Sequence, residues 1–125
     1  MAPISVTLAR REPPTAVVAL VGEHDAYSSG RLESELALLL EGRQRIVVDL
    51  TDATFMDSTT LSALLSARRQ AEEQRLGFAL VLPVDVRSQV DELLDLTGLR
   101  SAFATYGLLD DAVDDVAAGR TAAAA

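Results

Sequence analysis

Short, almost uninterrupted runs of apolar residues alternate along this chain with segments in which leucine recurs every three or four positions. The runs at 16–21, 46–50 (apart from Asp49) and 78–82 are apolar and have the length of buried strands, and the first of them is rich in β-branched residues. Between them, apolar positions with helical spacing predict two amphipathic helices: Leu32, Leu36, Leu39 and Leu40, then Leu61, Leu64, Leu65 and Ala71. Buried strands that alternate with helices predict an α/β domain whose central strands run parallel.

Both ends of the chain extend this pattern. Alternation of Ile4, Val6 and Leu8 predicts a half-exposed strand, and the prolines at 13–14 predict a turn into the first buried run. This gives an antiparallel hairpin at the N-terminal edge. A third helix from residue 86 to Gly98, a short strand at 102–105 and a last helix at 108–118 complete the prediction. We therefore expect one domain (1–118) with a mixed, mostly parallel sheet of about five strands and about four helices, followed by a disordered tail (119–125).

The charged residues exclude several classes of function. A net charge of −8 argues against binding to nucleic acid, which is held by clustered basic side chains. The chain contains no lysine, so it lacks the residue used in Schiff-base chemistry and in phosphate-binding P-loops. We expect no cofactor. The apolar runs are too short to span a membrane and no signal peptide is visible, which predicts a cytoplasmic protein that does not contact membranes.

Polar residues follow two of the buried runs, at 22–25 and 54–60, where parallel sheets carry their functional loops. The hydroxyl of Ser58 lies at the predicted start of a helix. One interpretation is a plain N-cap, which stabilises a helix by about 1 kcal/mol. The other is a phosphorylation site, because a phosphate is well received by the free amides at a helix N-terminus. The sequence pattern alone leaves both open.

An enzyme and a metal site are weaker interpretations of the same residues. His24 and Ser58 near aspartates suggest a hydrolase triad, but no Gly-x-Ser-x-Gly elbow surrounds the serine. We expect His24 to be solvated or to cap a helix. A metal pocket would need several carboxylates to converge. The four candidate ligands are Asp25, Asp49, Asp52 and Asp57. We instead expect Asp49 to cap a backbone group at the end of its strand and Asp52 to lie in solvent.

The segment 48–61, Val-Asp-Leu-Thr-Asp-Ala-Thr-Phe-Met-Asp-Ser-Thr-Thr-Leu, resembles the motif of STAS domains, the family of bacterial anti-sigma factor antagonists. The segment 21–25, Val-Gly-Glu-His-Asp, resembles the Gly-Glu-Leu-Asp that follows the second strand in that family. The order of strands and helices matches along almost the whole chain. Two departures stand out, since Thr60 and Ser62 occupy positions where the family commonly has glycine.

The resemblance implies a regulatory protein and not an enzyme. In that family the unphosphorylated antagonist binds a serine-kinase anti-sigma factor and so frees a sigma factor, which regulates transcription in responses such as stress. Phosphorylation by the kinase ends the association, and a phosphatase resets the switch. By position, Ser58 is the phosphoacceptor and Thr59 a candidate second acceptor. The implied partner-binding residues are Asp25, Asp57, Ser58, Thr59 and Thr60, in a monomer or weak dimer.

Two other functions remain open at the level of sequence. A soluble STAS adaptor subunit of a lipid-type ABC transporter would have the same fold, although the intact Asp57-Ser58-Thr59 favours the antagonist. A nucleotide-binding or hydrolytic domain is disfavoured because the chain lacks lysine and a glycine-rich phosphate loop.

Overall fold

A computed structural model describes residues 3–121 of the chain. It contains a five-stranded sheet in the order β1-β2-β4-β6-β7 and a second, two-stranded sheet of β3 and β5. The first pair, β1 and β2, is antiparallel and all other pairs are parallel. The strands are β1 (Ile4–Arg11), β2 (Pro14–Leu20), β3 (Gly22–His24), β4 (Arg45–Asp49), β5 (Ala53–Met56), β6 (Phe78–Val81) and β7 (Ala104–Tyr106). The helices are α1 (Ala26–Glu41), α2 (Ser58–Glu73), α3 (Gln89–Thr97) and α4 (Leu109–Ala117), with a short 3₁₀ helix at Arg100–Ala102.

The five-stranded sheet is covered on both faces, which explains why its central strands are apolar at consecutive positions. Alternate residues of β4 point to opposite faces. Val48 joins the larger core, formed with α1, α2 and α3, whereas Val47 packs against Val113 and Val116 of α4. The predicted fold class, a mixed and mostly parallel α/β sheet with an antiparallel N-terminal edge and four helices, is confirmed. Within residues 3–121, no helix combines the length and the apolar character needed to cross a membrane.

Two helix starts differ from the sequence-based prediction because side-chain caps set them. From the sequence we expect Ser28 or Ser29 to cap the first helix, but α1 begins after Asp25. The carboxylate of Asp25 accepts from the amide of Tyr27, and Ser28 completes a capping box. Helix α3 begins after Ser88 and not at residue 86, since Ser88 and Asp91 form a second capping box.

The C-terminal residues were predicted to form a disordered tail from 119 onward. In the structure, the amide of Arg120 donates to the carbonyl oxygen of Asp115, and Thr121 is buried. Residues 122–125 of that predicted tail lie outside the described residues.

Candidate functional site

The two-stranded sheet of β3 and β5 was not predicted, and it positions the candidate functional residues. His24 pairs with Met56, and each strand then leads directly into a helix. The amide of Asp57 donates to the carbonyl oxygen of His24 at 3.1 Å, which extends the pairing one residue beyond β5. Asp25 and Asp57 therefore follow neighbouring strand ends, and each caps the helix that starts there. This brings the two predicted polar segments together at one edge of the molecule.

Asp57 organises the start of α2. Its Oδ1 accepts hydrogen bonds from the amide of Thr60 at 3.0 Å, the hydroxyl of Thr59 at 2.7 Å and the hydroxyl of Thr60 at 3.1 Å. Partial burial acts to raise the pKa of Asp57, but these hydrogen bonds, first that of the Thr60 amide, outweigh it and lower the pKa below its usual value. The carboxylate is thus held charged and in one orientation.

Ser58 is the first residue of α2 and its side chain is exposed. The alternative in which Ser58 is the N-cap is wrong, because Asp57 occupies that position and accepts the capping hydrogen bond. Of the three consecutive hydroxyls, those of Thr59 and Thr60 donate to Asp57, which leaves Ser58 as the one not used in holding that carboxylate. Ser58 therefore presents a hydroxyl beside the free amides of the first helical turn.

The neighbouring hydroxyl residues differ in accessibility. Thr59 is exposed, as is Ser62 one turn further along α2. Thr60, which we expected to contact a partner, has 0% of its surface exposed. The hydroxyl of Thr60 donates to the carboxylate of Asp57 from inside the protein, and the side chain is not part of the accessible surface. The substitution of threonine for the family's glycine therefore lies inside the fold.

His24 was expected to be solvated or to cap a helix, and this expectation was wrong. Its side chain is only 1% exposed, and Nε2 donates to the carbonyl oxygen of Val21 at 3.0 Å. Nδ1 is buried and has no hydrogen-bond partner among residues 3–121. A ring that donates to a backbone carbonyl in the interior is not placed as the base of an exposed serine, so the geometry gives the hydrolase interpretation no support.

The four aspartates considered as a metal pocket have separate roles. Asp25 and Asp57 cap helices, and Asp49 accepts from the amide of Thr51 at 3.0 Å as a cap at its strand end, as predicted. Asp52 is exposed, also as predicted. Within the described part of the chain, no three His, Cys, Asp or Glu side chains converge as a metal site would require.

Gln89 is a residue of this site that the sequence analysis missed. It is the first residue of α3, and its side-chain amide bonds to both backbone groups of Met56. Oε1 accepts from the Met56 amide at 2.8 Å, and Nε2 donates to the Met56 carbonyl oxygen at 3.0 Å. No local pattern could have indicated this, because a glutamine in the first turn of a helix is ordinary and its contact is 33 residues away in sequence.

Two exposed aromatic side chains on the elements that carry the site were also missed. Tyr27, in the first turn of α1, is 96% exposed, and Phe55 of β5 is 39% exposed. Exposed aromatic rings are enriched at protein–protein interfaces.

The fold and site together define a small α/β domain that presents a serine hydroxyl at the carboxyl edge of parallel strands. The chain belongs to the STAS domain family, whose model matches residues 7–113. Its fold is similar to that of an anti-sigma factor antagonist from Mycobacterium paratuberculosis, with a TM-score of 0.71, 25% identity, and 91% of this chain and 94% of the other covered.

Two further solved structures have the same fold at lower identity. The phosphorylated form of the Bacillus cell fate determinant SpoIIAA matches with a TM-score of 0.67 and 21% identity over 91% of this chain and 99% of that one. A sulfate transporter family protein from Wolinella succinogenes matches with a TM-score of 0.65 and 17% identity over 85% and 87%. The fold is therefore found both in a protein solved in a phosphorylated form and in a protein of a transporter family.

Proposed function

We propose that this protein is an anti-sigma factor antagonist that binds a serine-kinase anti-sigma factor in its unphosphorylated form and is released by phosphorylation of Ser58. The observation that carries the proposal is the placement of Ser58, exposed at the first position of α2 beside the capping carboxylate of Asp57. The mycobacterial protein of similar structure is itself described as an anti-sigma factor antagonist, which supports the same class of partner.

The proposed reaction is transfer of a phosphoryl group from a nucleoside triphosphate held by the partner kinase. Oγ of Ser58 forms a bond to the γ-phosphorus, the bond from that phosphorus to the β–γ bridging oxygen breaks, and the diphosphate leaves. The hydroxyl proton passes to a base of the kinase or to water. This chain supplies the nucleophile and the docking surface, and the kinase supplies the catalytic groups.

Electrostatics explain how the modification would end binding. A phosphate adds about −1.5 to −2 charges at neutral pH. The first-turn amides of α2 can accommodate that charge without unfolding the helix. The added charge lies next to Asp57 on a protein whose net charge is already −8, so a partner that docks against this surface must accept a sharply more negative patch.

The direct test is phosphate incorporation, measured by intact-mass spectrometry after incubation with ATP and candidate serine-kinase anti-sigma factors from the same genome. We expect one phosphate on the wild type and none on Ser58→Ala. Ser62→Ala is the matched control, because Ser62 is an exposed serine one turn further along α2, and it should accept phosphate as the wild type does. Phosphate that persists in Ser58→Ala would contradict the assignment and direct attention to Thr59.

The adaptor function predicts a different result. A soluble adaptor of a transporter would take no phosphate from any candidate kinase and would bind its partner equally well as Ser58→Asp. The similarity to the Wolinella transporter-family protein is a similarity of fold, so this function depends on that outcome. An ATP-binding titration of the isolated chain tests the enzyme alternative, and we expect no binding.

A further inference from the structure

We infer that Gln89 is a positioning residue for phosphorylation: its side-chain amide fixes the backbone of Met56 and so holds Ser58 in the orientation that a kinase attacks. This inference deepens the proposed function and rests on it. It concerns a residue of α3, more than thirty positions from the phosphoacceptor in sequence.

One edge of β5 is not paired with another strand among residues 3–121. This strand has four residues and pairs along one side with the three residues of β3. Met56, its last residue, is 0% exposed, so its backbone groups need partners inside the protein. Gln89 supplies both partners, at 2.8 Å to the amide and 3.0 Å to the carbonyl oxygen. The side chain thus bonds as a residue of a neighbouring strand would.

Gln89 is itself held in place by the hydrogen bonds at the start of α3. It follows Ser88, the N-cap of α3, which forms a capping box with Asp91. Asp91 is 7% exposed and accepts from the guanidinium of Arg100 at 2.9 Å, and Arg100 also donates to Asp95 at 2.7 Å. The start of α3 is therefore fixed by several hydrogen bonds. The side chain of Gln89 connects this fixed helix end to the backbone of Met56.

Met56 lies two residues before Ser58, the proposed phosphoacceptor. Met56 directly precedes Asp57, whose amide bonds to the carbonyl oxygen of His24 and whose carboxylate caps α2. Ser58 is the next residue. Its hydroxyl direction depends on a backbone held by β3 on one side and by Gln89 on the other. If the Gln89 contact is removed, one of these two supports is lost while the hydrophobic packing of the domain remains.

Phosphoryl transfer requires accurate placement of the attacking hydroxyl, which is what the Gln89 contact would provide. The attacking hydroxyl must lie in line with the bond that breaks, and small errors in placement reduce the rate strongly. A loosely held serine would still dock with the rest of the surface but would spend less time aligned. The expected effect is therefore on kcat and not on KM.

The test compares two variants of Gln89 with the wild type as substrates of the kinase identified above. Gln89→Met keeps the side-chain length and removes both hydrogen bonds. Gln89→Glu keeps an acceptor for the Met56 amide but loses the donor to the Met56 carbonyl oxygen. We expect kcat to fall about tenfold for Gln89→Met, with KM within about twofold, and at least as far for Gln89→Glu, in which a carboxylate oxygen faces the Met56 carbonyl oxygen with no donor between them.

A general loss of stability needs its own control. Val116→Ala opens a cavity under α4, on the opposite face of the sheet, and should lower the melting temperature without changing kcat. All proteins are assayed at a temperature where circular dichroism shows them folded. Amide hydrogen exchange at 56–60 provides a second readout, and it should accelerate in Gln89→Met and stay unchanged in Val116→Ala.

The possible results distinguish a failure of the role of Gln89 from a failure of the proposed function. Wild-type protein that is phosphorylated on Ser58, with kcat unchanged in both Gln89 variants, would overturn the role of Gln89 and leave the proposed function standing. A kcat reduced equally by Val116→Ala would also overturn it, since the effect would then follow from stability alone. Wild-type protein that no kinase phosphorylates would overturn both.

Discussion

The amide of Asp57 donates to the carbonyl oxygen of His24, and this single bond aligns the caps of two helices. Because it continues the pairing of β3 with β5, Asp25 and Asp57 leave the sheet at the same level and each takes the N-cap position of its helix. Two helix N-termini with capping carboxylates thus lie at neighbouring strand ends.

Replacing Asp57 with alanine should lower the free energy of unfolding by about 1–2 kcal/mol, because the cap of α2 and the hydrogen bonds from Thr59 and Thr60 are lost. Asp57→Asn should lose less, since an amide oxygen can still accept from the Thr60 amide. Urea unfolding at neutral pH measures both. A loss as large in Asp57→Asn as in Asp57→Ala would show that the charge, and not the cap, carries the stability.

The same carboxylate predicts a pH dependence. The folded protein lowers the pKa of Asp57, so its contribution is fully present above the pKa of an unfolded aspartate, about 4, and is lost as pH falls through the lower folded value. The difference in unfolding free energy between wild type and Asp57→Asn should therefore shrink in acid. A difference that stayed constant down to the most acidic pH at which the protein folds would contradict this.

Ser58→Asp should preserve the fold and weaken partner binding. An acidic residue at the first position of α2 interacts favourably with the helix dipole, so the free energy of unfolding should change by less than about 1 kcal/mol. Binding to the cognate kinase, measured calorimetrically without nucleotide, should weaken by about tenfold or more. Ser62→Asp is the control for added charge on α2. Equal weakening by both variants would indicate a general charge effect and not a site-specific switch.

The architecture followed from the sequence because strand and helix periods are local properties. The segments 46–48 and 78–82 are apolar at successive positions, which is the pattern of strands that lie between two layers. The pairing of β3 with β5 was missed because strands of three and four residues carry too little periodicity to distinguish them from loops. The larger sheet was thus predictable and the small one that carries the site was not.

Within the site, the sequence indicated Ser58 as a candidate phosphoacceptor but did not indicate the residues that hold it in place. The motif around Ser58 marked the candidate, whereas the N-cap role of Asp57 depends on backbone angles that only the fold sets. His24 is buried in a strand, β3, whose pairing with β5 was not predicted. Gln89 reaches the site by a long-range contact, and one sequence without its fold contains no record of such contacts.

Thr60→Gly tests the departure from the family's glycine. Thr60 is wholly buried and its hydroxyl donates to Asp57, so glycine should remove a hydrogen bond, leave a small cavity and add flexibility to the helix. We expect a loss of about 1–3 kcal/mol in unfolding free energy, measured with urea. Thr60→Ser, which keeps the hydroxyl, should lose less. An unchanged or increased stability in Thr60→Gly would show that the threonine is not part of the cap.

Arg100→Met should destabilise the start of α3. Burial acts to raise the pKa of Asp91, but the hydrogen bonds from Arg100 and Ser88 outweigh it and lower the pKa. The stabilisation is therefore present at neutral pH and is lost as pH falls through the folded pKa of Asp91. We expect a loss of about 1–2 kcal/mol at neutral pH, limited by solvent screening of a partly exposed pair, and a smaller difference from wild type in acid. A difference independent of pH would contradict the ionic origin.

Tyr106 provides a test at the opposite end of the pH range. Burial, followed by the hydrogen bond that its hydroxyl donates to Asp115 at 2.6 Å, raises the pKa of Tyr106 to about 12. Its contribution to stability is fully present below the pKa of an unfolded tyrosine, about 10, and is lost as pH rises through 12. Alkaline titration of phenolate absorbance should show a transition near pH 12 that disappears in Tyr106→Phe and persists in Tyr27→Phe. If the transition that Tyr106→Phe removes were instead found near pH 10 in the wild type, the hydroxyl of Tyr106 would not be held by Asp115.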